Sequence, residues 1–488
     1  MATTIAFAIY AIVIVGIGLY AAFRPQETAS EVHLGGREHG TWAAALSASA
    51  STESGFVLLG MVGVGYNAGV NALWIVPAGV LGYLLLWVVL APNLWEETDE
   101  HGAVTVPELI SRTTDDWFSK YAAALGGVFA IIFLLAYVAA QISAAGKSIE
   151  SQFELSYITA TSLAAGFVTG YAMLGGFRAV SWTDTVQALM MLFALVILPI
   201  TIITDLGGLG AVFSKLHAIN PDLTSLTGGA STAWGSFVAI FSWLMLALAY
   251  PGQPHAVARI MASRDREVLR RAPYVAIPWF VIIYTGAVLL GMSARVGFSG
   301  MEQIASDPEQ TLPVLAVEIL PGVLGGVVLA AVVAAITSTA DSTLIASAST
   351  ALRDLRKALN IPEPAHEAWW MRGTILTLGA VASGFAFQQT GLVFDIVLIS
   401  WAGLGASLGP AVLYSALADR PKGLASLCGI ITGGTLAFVL QQRDLDLLMG
   451  FIASGIVILA VHWVLTKRDA PETSAAEAQA DRPATVES

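Results

Sequence analysis

The sequence has little charge and one cysteine, and it lacks the motifs of a nucleotide or metal enzyme. Only 12% of its 488 residues are charged, whereas 56% are hydrophobic and the mean hydropathy is +0.73. The lone Cys428 excludes a disulfide framework, and the scattered histidines lack metal-ligand spacing. No Walker loop, dinucleotide fingerprint or Ser-His-Asp arrangement is present, which argues against an ATP-driven pump and against an enzyme. Such an apolar chain is typical of a polytopic membrane protein.

Long apolar runs recur along the chain. A helix that crosses a bilayer needs about 20 apolar residues, and about thirteen runs reach that length, the first of which we expect to be a retained helix and not a signal peptide. The predicted spans are 4–23, 41–66, 72–92, 121–146, 154–174, 184–204, 232–251, 273–294, 319–347, 373–390, 395–417, 423–441 and 446–466. We therefore expect an all-α protein of the cell membrane.

The distribution of Lys and Arg predicts the orientation. With the N-terminus outside and the C-terminus in the cytoplasm, the outer segments hold only Lys147, Lys215, Arg295 and Arg443, as expected if cytoplasmic loops collect cations. The net charge of -12 lies in the loops and in residues 469–488, which are poor in apolar residues and predict a disordered tail. This acidity indicates either a salt-loving host or simply well-solvated loops.

Two predicted spans contain residues that interrupt helices. SASASTESG lies in the second span and LAYPGQPH, residues 248–255, ends the seventh. Their separation by five helices predicts an inverted repeat of five plus five helices, about 41–204 and 232–417, within one transporter domain, 1–468. Alternatively, Pro251 and Pro254 simply end a helix at the interface.

The ninth span concentrates hydroxyl groups. Its segment AAVVAAITSTADST, residues 330–343, also carries Asp341. Hydroxyl and carbonyl oxygens are hard ligands of the kind that alkali cations prefer. Alternatively, Ser and Thr permit close helix packing and bond back to their own helix.

Together these motifs resemble one transporter family. SASASTESGF, GGFRAVSWTDTVQ, YPGQPHAVARIMA, AAITSTADST and SWAGLGASLGPAVL are similar to segments of the sodium:solute symporter family, and most closely of its sodium/proline branch. The resemblance extends over nearly the whole chain. It implies a LeuT-type fold, with one helix before the ten-helix core and two after it, and sodium-driven uptake of a small solute.

The resemblance also implies an ion site. Its sodium ligands correspond to the carbonyls of Ala50, Glu53 and Ala335 and the hydroxyls of Ser338 and Thr339. Residues 335, 338 and 339 share one helix face by their spacing, in agreement with such a site.

Two acids are assigned to the ion path. Asp184 matches an aspartate that the family uses near the sodium exit, and Asp341 lies in the hydroxyl-rich span. Asp184 with Gln187 three residues later is equally compatible with a helix N-terminal capping pair.

The solute site is expected at the helix breaks. The resemblance implies Ser54, Gly55, Tyr137, Tyr250, Gln253 and Pro254. Freed amides and a phenol suit the carboxylate of an amino acid, and aromatic faces suit its apolar part.

This chain departs from the proline branch near that site. Thr52, Glu53, Phe56 and Leu246 stand where the branch commonly has aspartate, an apolar residue, tryptophan and tryptophan. A reshaped pocket leaves proline, another amino acid, a betaine or a monocarboxylate as candidate solutes.

Glu53 admits three interpretations. In the first, its ionised carboxylate lies at the rim of the sodium site and strengthens sodium binding. In the second, desolvation favours the neutral form of the carboxyl group, which then carries a proton. In the third, it only makes a polar contact to Thr52, Ser54 or a hydroxyl of the ninth span. A membrane sensor and a passive channel are rival functions for the whole chain. The expected partners are the solute, sodium and the lipid bilayer, with neither nucleic acid nor an obligate protein partner.

Overall fold

The structure, a computed structural model, describes residues 2–23, 28–112, 117–153, 155–364, 366–388, 392–440 and 446–480. These residues are almost entirely helical, and strand-like pairing among them is limited to an isolated bridge between His39 and Ser263. The α-helices are α1 Ala2–Ala22, α2 Ala29–Leu34, α3 Thr41–Thr52, α4 Val62–Ala68, α5 Ile75–Leu84, α6 Ala91–His101, α7 Val106–Arg112, α8 Trp117–Phe153, α9 Tyr157–Asp205, α10 Leu209–Ile219, α11 Ala233–Leu244, α12 Pro254–Met261, α13 Arg266–Arg271, α14 Pro273–Gly297, α15 Glu302–Ser306, α16 Thr311–Ile319, α17 Gly322–Thr350, α18 Arg356–Ala358, α19 Glu367–Ala386, α20 Val393–Leu417, α21 Gly423–Val439 and α22 Asp446–Ala480.

Short helices of other types connect or extend several of these elements. The π-helical segments are Phe56–Met61, Leu85–Leu90 and Ala351–Leu355, and the 3₁₀ segments are Gly69–Trp74, Pro221–Thr224, Met245–Gly252 and Pro308–Gln310. The first π segment, Phe56–Met61, follows the predicted break in SASASTESG, and the third 3₁₀ segment, Met245–Gly252, precedes the break residue Gln253 in LAYPGQPH. Both interrupted spans predicted from sequence thus depart from the α-helix at the break.

Eight helical segments of the described chain are long and apolar enough to cross a membrane. They are Phe56–His101, Trp117–Glu150, Tyr157–Asp205, Ala233–Gly252, Arg266–Gly297, Gly322–Ala358, Val393–Leu417 and Leu447–Arg468. Shorter apolar helices occur at Ala8–Ala21, Leu209–Ile219 and Gly423–Val439. Several long segments contain more than one predicted span, and the number thirteen stays a prediction.

Helix α9 contains two predicted spans joined without a loop. Its 49 residues would extend about 74 Å as a straight helix, more than twice the apolar thickness of about 30 Å. Gly176, with φ 60° and ψ −167°, divides it, and a side chain would be strained in this conformation. The chain therefore changes direction at this glycine.

The capping interpretation of Asp184 is wrong. Asp184 lies inside the second arm of α9, well past the break at Gly176, so its helix has no N-terminus there to cap. Gln187 instead donates to Tyr10 of α1, with Nε2 to phenol oxygen 3.0 Å, and to Thr337 of α17 at 3.2 Å. These bonds attach the first helix to the interior of the bundle.

The two predicted breaks have nearly the same backbone conformation. Helix α3 ends at Glu53, with φ −96° and ψ 97°, and Gln253 separates the 3₁₀ segment from α12 with φ −91° and ψ 99°. Helices α3 and α12 also pack against each other. Both breaks are buried, so Pro254 begins a new buried helix here and does not end one at an interface.

Helix α17 forms the centre of the bundle. In its apolar window 83% of the residues are buried, more than in any other candidate span of the described chain. It contacts α1, α3, α8 and α9. The hydroxyl-rich segment therefore faces protein on nearly all sides.

The C-terminal helix extends beyond the last predicted span. Helix α22 continues to Ala480, so the predicted tail, 469–488, is helical up to that residue, in keeping with the helix propensity of its Ala, Glu and Gln residues. Residues 481–488 lie outside the described part of the chain.

Candidate sodium and solute site

Two hydroxyl groups of α17 converge on the end of α3. Ser338 Oγ lies 2.7 Å from the carbonyl oxygen of Ala50, and Thr339 Oγ1 lies 3.3 Å from it. Because α3 ends at Thr52, carbonyls of its last turn lack the following helical turn that would bond them. Three of the five predicted oxygens, those of Ala50, Ser338 and Thr339, therefore lie together, whereas the part of the Glu53 carbonyl in this site stays a prediction.

The same hydroxyl-rich helix also bonds to itself. Ser338 Oγ is 3.0 Å from the carbonyl of Ala335, its own predicted co-ligand. Thr343 and Ser347 each donate to the carbonyl four residues earlier, both at 2.7 Å. Back-bonding therefore accounts for the hydroxyls further along α17, whereas Ser338 and Thr339 also reach across to α3.

Asp184 is held by Arg259, which the sequence analysis did not single out. Arg259 of α12 is 1% exposed, and its Nη2 lies 3.1 Å from Asp184 Oδ2. Ser47 of α3 donates to the same oxygen at 2.6 Å, and Arg259 also contacts Ser342 of α17. This cluster joins four helices, and the position of Arg259 in YPGQPHAVARIMA, just after the break, was the available signal for it.

Asp341 lies beside this cluster without a direct bond. Both of its carboxyl oxygens are buried and have no hydrogen-bond partner among the described residues. Oδ1 of Asp184 is likewise buried without a hydrogen-bond partner there. Unpartnered carboxyl oxygens in a buried site are costly, which is the property expected of groups that a passing cation contacts.

The Glu53 carboxyl group contacts hydroxyl groups of four elements. Its Oε1 lies 3.3 Å from Thr52 Oγ1, 3.4 Å from the Tyr83 phenol oxygen and 3.3 Å from that of Tyr250, while Tyr284 donates to Oε2. The expected contact to Thr52 is present. The position of this carboxyl group at the rim of the Ser338 and Thr339 site stays a prediction.

Ser54 and Gly55 contact helix α8 as the solute-site prediction requires. The Tyr137 phenol oxygen lies 3.2 Å from Ser54 Oγ and 3.0 Å from the carbonyl oxygen of Thr52. The Gly55 N–H donates to Gln141 Oε1 at 3.1 Å. Gln141 lies one helical turn after Tyr137, so that spacing could have revealed it.

Gln253 and His255 present unused polar atoms at the second break. Both residues are fully buried. Among the described residues, no hydrogen-bond partner is found for the side-chain amide atoms of Gln253 or for the two ring nitrogens of His255. The same is true of Nε2 of Gln141. Buried groups of this kind are rare away from binding sites, so we regard them as candidate solute contacts.

Aromatic rings form one wall between the breaks. Phe56 stacks on Phe394 and on Trp401 of α20, with ring centroids 5.1 Å and 5.6 Å apart, and Tyr250 meets Trp401 edge to face at 5.3 Å. Sequence analysis missed Phe394 and Trp401, although SWAGLGASLGP contains the tryptophan. Leu246 is buried on the same 3₁₀ segment as Tyr250.

Pro254 lines a small cavity together with His33, Phe177, Arg259 and Ser342. Its contact with the solute stays a prediction.

The matching family model covers residues 32–433 and describes the sodium:solute symporter family. The chain is 30% identical to the "Sodium/proline symporter" of Escherichia coli, with 94% of this chain and 92% of that protein aligned. It is 29% identical to the "High-affinity proline transporter PutP" of Bacillus subtilis, with 93% and 95% aligned.

Solved structures with this fold include two transporters. A sodium-coupled sialic acid symporter, solved in a substrate-bound outward-open state, aligns with a TM-score of 0.78 at 18% identity, over 94% of this chain and 96% of that one. A nucleobase-cation-symport-1 family transporter aligns with a TM-score of 0.55 at 11% identity, over 91% and 96%. The predicted LeuT-type fold is confirmed.

Proposed function

Because the chain belongs to the sodium:solute symporter family, and is thus a multi-pass membrane transporter and not an enzyme, we propose that it takes up proline, or a closely related amino acid, with sodium. The observation that carries this proposal is the convergence of Ser338 and Thr339 on the Ala50 carbonyl. The relatives are named as proline transporters, which supports proline as the solute.

In this proposal sodium is bound between two helices that belong to different repeats, 41–204 and 232–417. Its ligands are the carbonyls of Ala50, Glu53 and Ala335 and the hydroxyls of Ser338 and Thr339. Binding replaces the direct hydroxyl-to-carbonyl contacts by contacts through the ion, which holds α3 against α17. Solute binding at the adjacent break then favours sodium, and sodium favours the solute, by the same free energy.

The solute binds between the two breaks. The carboxylate of an amino acid accepts from the amide groups of Gln253 and Gln141, which are buried and have unused N–H groups. The apolar ring of proline packs against Phe56 and Trp401. Trp401 contributes an aromatic face from α20 where this chain lacks a tryptophan at positions 56 and 246.

The ion leaves along Asp184 and Asp341 in this proposal. Both acids are buried, and Arg259, which bonds Asp184, lines a cavity together with His33 and Ser342. Arg259 holds one oxygen of Asp184, which leaves the other oxygen for the cation.

The orientation remains part of the proposal. Lys120, near the start of α8, reaches Asn360, close to Arg353 and Arg356, whereas Lys147 near its other end pairs with Asp307 and Glu309. The arginine-rich end of the bundle is the cytoplasmic side, which puts the N-terminus outside and the C-terminus inside.

The sodium site is tested by the double substitution Ser338→Ala with Thr339→Ala. We expect sodium-driven proline uptake into vesicles to fall at least tenfold, because two of the five ligands are lost and each is worth on the order of 1 kcal/mol. Uptake of labelled proline is measured against sodium concentration.

The matched control is Ser162→Ala, which removes a hydroxyl that bonds only its own helix, to the carbonyl of Ile158 at 2.7 Å. Its uptake should equal that of the unchanged protein. Unaltered sodium dependence in the double variant contradicts the assignment of the site. Uptake that does not concentrate proline contradicts symport and favours a channel or a sensor.

A further inference from the structure

The Glu53 carboxyl group lies in a cluster of hydroxyls that the proposed sodium site does not use. Glu53 Oε1, Thr52 Oγ1 and the Tyr83 phenol oxygen form a nearly equilateral triangle, with sides of 3.3, 3.4 and 3.4 Å. The Tyr250 phenol oxygen lies 3.3 Å from the same Oε1. These oxygens come from α3, α5 and the 3₁₀ segment before α12.

The three hydroxyl contacts to Glu53 Oε1 are long for hydrogen bonds to a carboxylate, whereas Tyr284 makes a short hydrogen bond to Oε2. Such O–H···O⁻ bonds are normally about 2.5–2.7 Å, which is well below the separations at Glu53 Oε1. Oxygen ligands at about 2.4 Å from a hard cation in octahedral geometry are about 3.4 Å from their neighbours. The triangle therefore has the size of one face of a cation coordination shell.

The charge of the site is also unbalanced. Glu53, Thr52, Tyr83, Tyr250 and Tyr284 are all 2% exposed or less. The described side chains that bond to the carboxyl group are neutral hydroxyls. A buried carboxyl group is either neutral or accompanied by a positive charge, and a hard monovalent cation would supply the charge that the ionised group needs.

The hydroxyls are able to turn toward an ion. Thr52 Oγ1 has alternative acceptors in the carbonyls of Ala48 and Ser49, both at 3.0 Å, and the Tyr83 phenol has one in Ser49 Oγ at 3.2 Å. Donating to these groups leaves the lone pairs of both oxygens free for a cation. A protonated carboxyl group would need only one acceptor, whereas four hydroxyls surround this one.

We propose that the Glu53 carboxylate, Thr52, Tyr83 and Tyr250 form a second sodium site, distinct from the one at Ser338 and Thr339. This inference rests on the proposed function, because it adds a second ion to the same transport cycle. Glu53 contributes its carbonyl to the first site and its carboxylate to the second. The two ions are thus coupled through one residue at the break.

The number of sodium ions carried per solute tests the proposal. Purified protein in vesicles is supplied with labelled sodium and labelled proline, and the two initial fluxes are compared. We expect two sodium ions per proline and a sigmoidal dependence of uptake on sodium. In Glu53→Gln and in Tyr83→Phe the ratio should fall to one and the dependence should become hyperbolic.

Tyr83→Phe is the safer variant, because it keeps the ring that packs against Tyr250 and Phe280 at centroid distances of 5.3 and 5.1 Å. The control is Tyr157→Phe, which removes a phenol that bonds Ser143 and the carbonyl of Ala386. Its flux ratio should stay at two.

Each outcome separates the two proposals. A ratio of one in the unchanged protein, or a ratio of two that both variants keep, overturns the second site and leaves sodium symport intact. One sodium with one proton, detected as uptake driven by a pH gradient and lost in Glu53→Gln, overturns it in favour of a proton site. Uptake that ignores sodium altogether overturns the proposed function itself.

Discussion

At the scale of single residues, the site is marked by buried polar atoms whose hydrogen bonds are unmet. Asp341, Gln253 and His255 all belong to this class among the described residues. Sequence analysis identified Asp341 because it is a polar residue in an apolar span, and Gln253 through the family resemblance. It did not single out Arg259, because a charged residue after a helix break does not by itself reveal that α12 is buried inside the bundle.

Gln253→Ala should weaken solute binding without affecting sodium binding to the same degree. A hydrogen bond to a charged group contributes about 1.5–3 kcal/mol, so the KM for proline should rise at least about tenfold. Initial rates of proline uptake at saturating sodium measure this change. The control is Gln303→Ala, which changes an exposed residue of α15 and should leave the KM for proline unchanged. An unchanged KM in Gln253→Ala would contradict a contact between Gln253 and the solute.

At the scale of helices, the breaks could be predicted and their surroundings could not. SASASTESG and LAYPGQPH contain small residues and prolines, which disfavour continuous helix locally. The aromatic wall depends on α20 reaching across more than 140 residues of sequence to meet Phe56 and Tyr250, and periodicity carries no information about that contact. The contacts of the Glu53 carboxyl group with Tyr83, Tyr250 and Tyr284 likewise join residues far apart in sequence.

The second break requires a glycine next to it. A Cβ atom on Gly252 would collide with the carbonyl group of Leu404 in α20, and backbone cannot move aside as a flexible side chain can. We expect Gly252→Ala to cost about 1–3 kcal/mol and to lower both the melting temperature and the uptake rate. The control is Gly166→Ala, because no atom lies within 4 Å of its added Cβ, and its melting temperature should not be lowered. A melting temperature of Gly252→Ala equal to that of the unchanged protein would contradict this packing.

At the scale of the whole molecule, hydrogen bonds that include carboxyl groups join helices at both ends of the bundle. At the arginine-rich end, His33 of α2 bonds Ser349 of α17 at 2.8 Å and Glu367 of α19 at 2.9 Å. At the other end, Glu309 accepts from the N–H groups of Val393 and Phe394, which begin α20, both at 3.0 Å. The sequence predicted the charge asymmetry of the two ends, but not which charges meet, because pairing depends on how the helices pack.

The bond to His33 makes the contribution of Glu367 dependent on pH. The hydrogen bond from His33 lowers the pKa of the Glu367 carboxyl group, which lies before the predicted span 373–390. A lowered pKa stabilises the fold above the ordinary carboxyl pKa, and this stabilisation is lost as the pH falls through the lowered value. Because Glu367 is partly exposed, the effect should be under about 1 kcal/mol.

We therefore expect Glu367→Gln to lower the melting temperature at pH 7 and to have a smaller effect at acidic pH, near the ordinary carboxyl pKa of about 4. Melting in detergent at both pH values measures the difference. Glu363→Gln, in which an exposed carboxylate is changed, is the control. A difference that grows on acidification would contradict the assigned direction.

The first helix precedes both predicted repeats, yet its Tyr10 phenol oxygen lies 3.3 Å from Thr337 Oγ1, next to the proposed sodium ligands Ser338 and Thr339, and accepts from Gln187 at 3.0 Å. A segment that only anchored the chain in lipid would have no need of this buried polar contact. If α17 moves during the proposed transport cycle, α1 must move with it or the contact must break. We therefore expect removal of the first helix to alter the rate of uptake as well as membrane insertion.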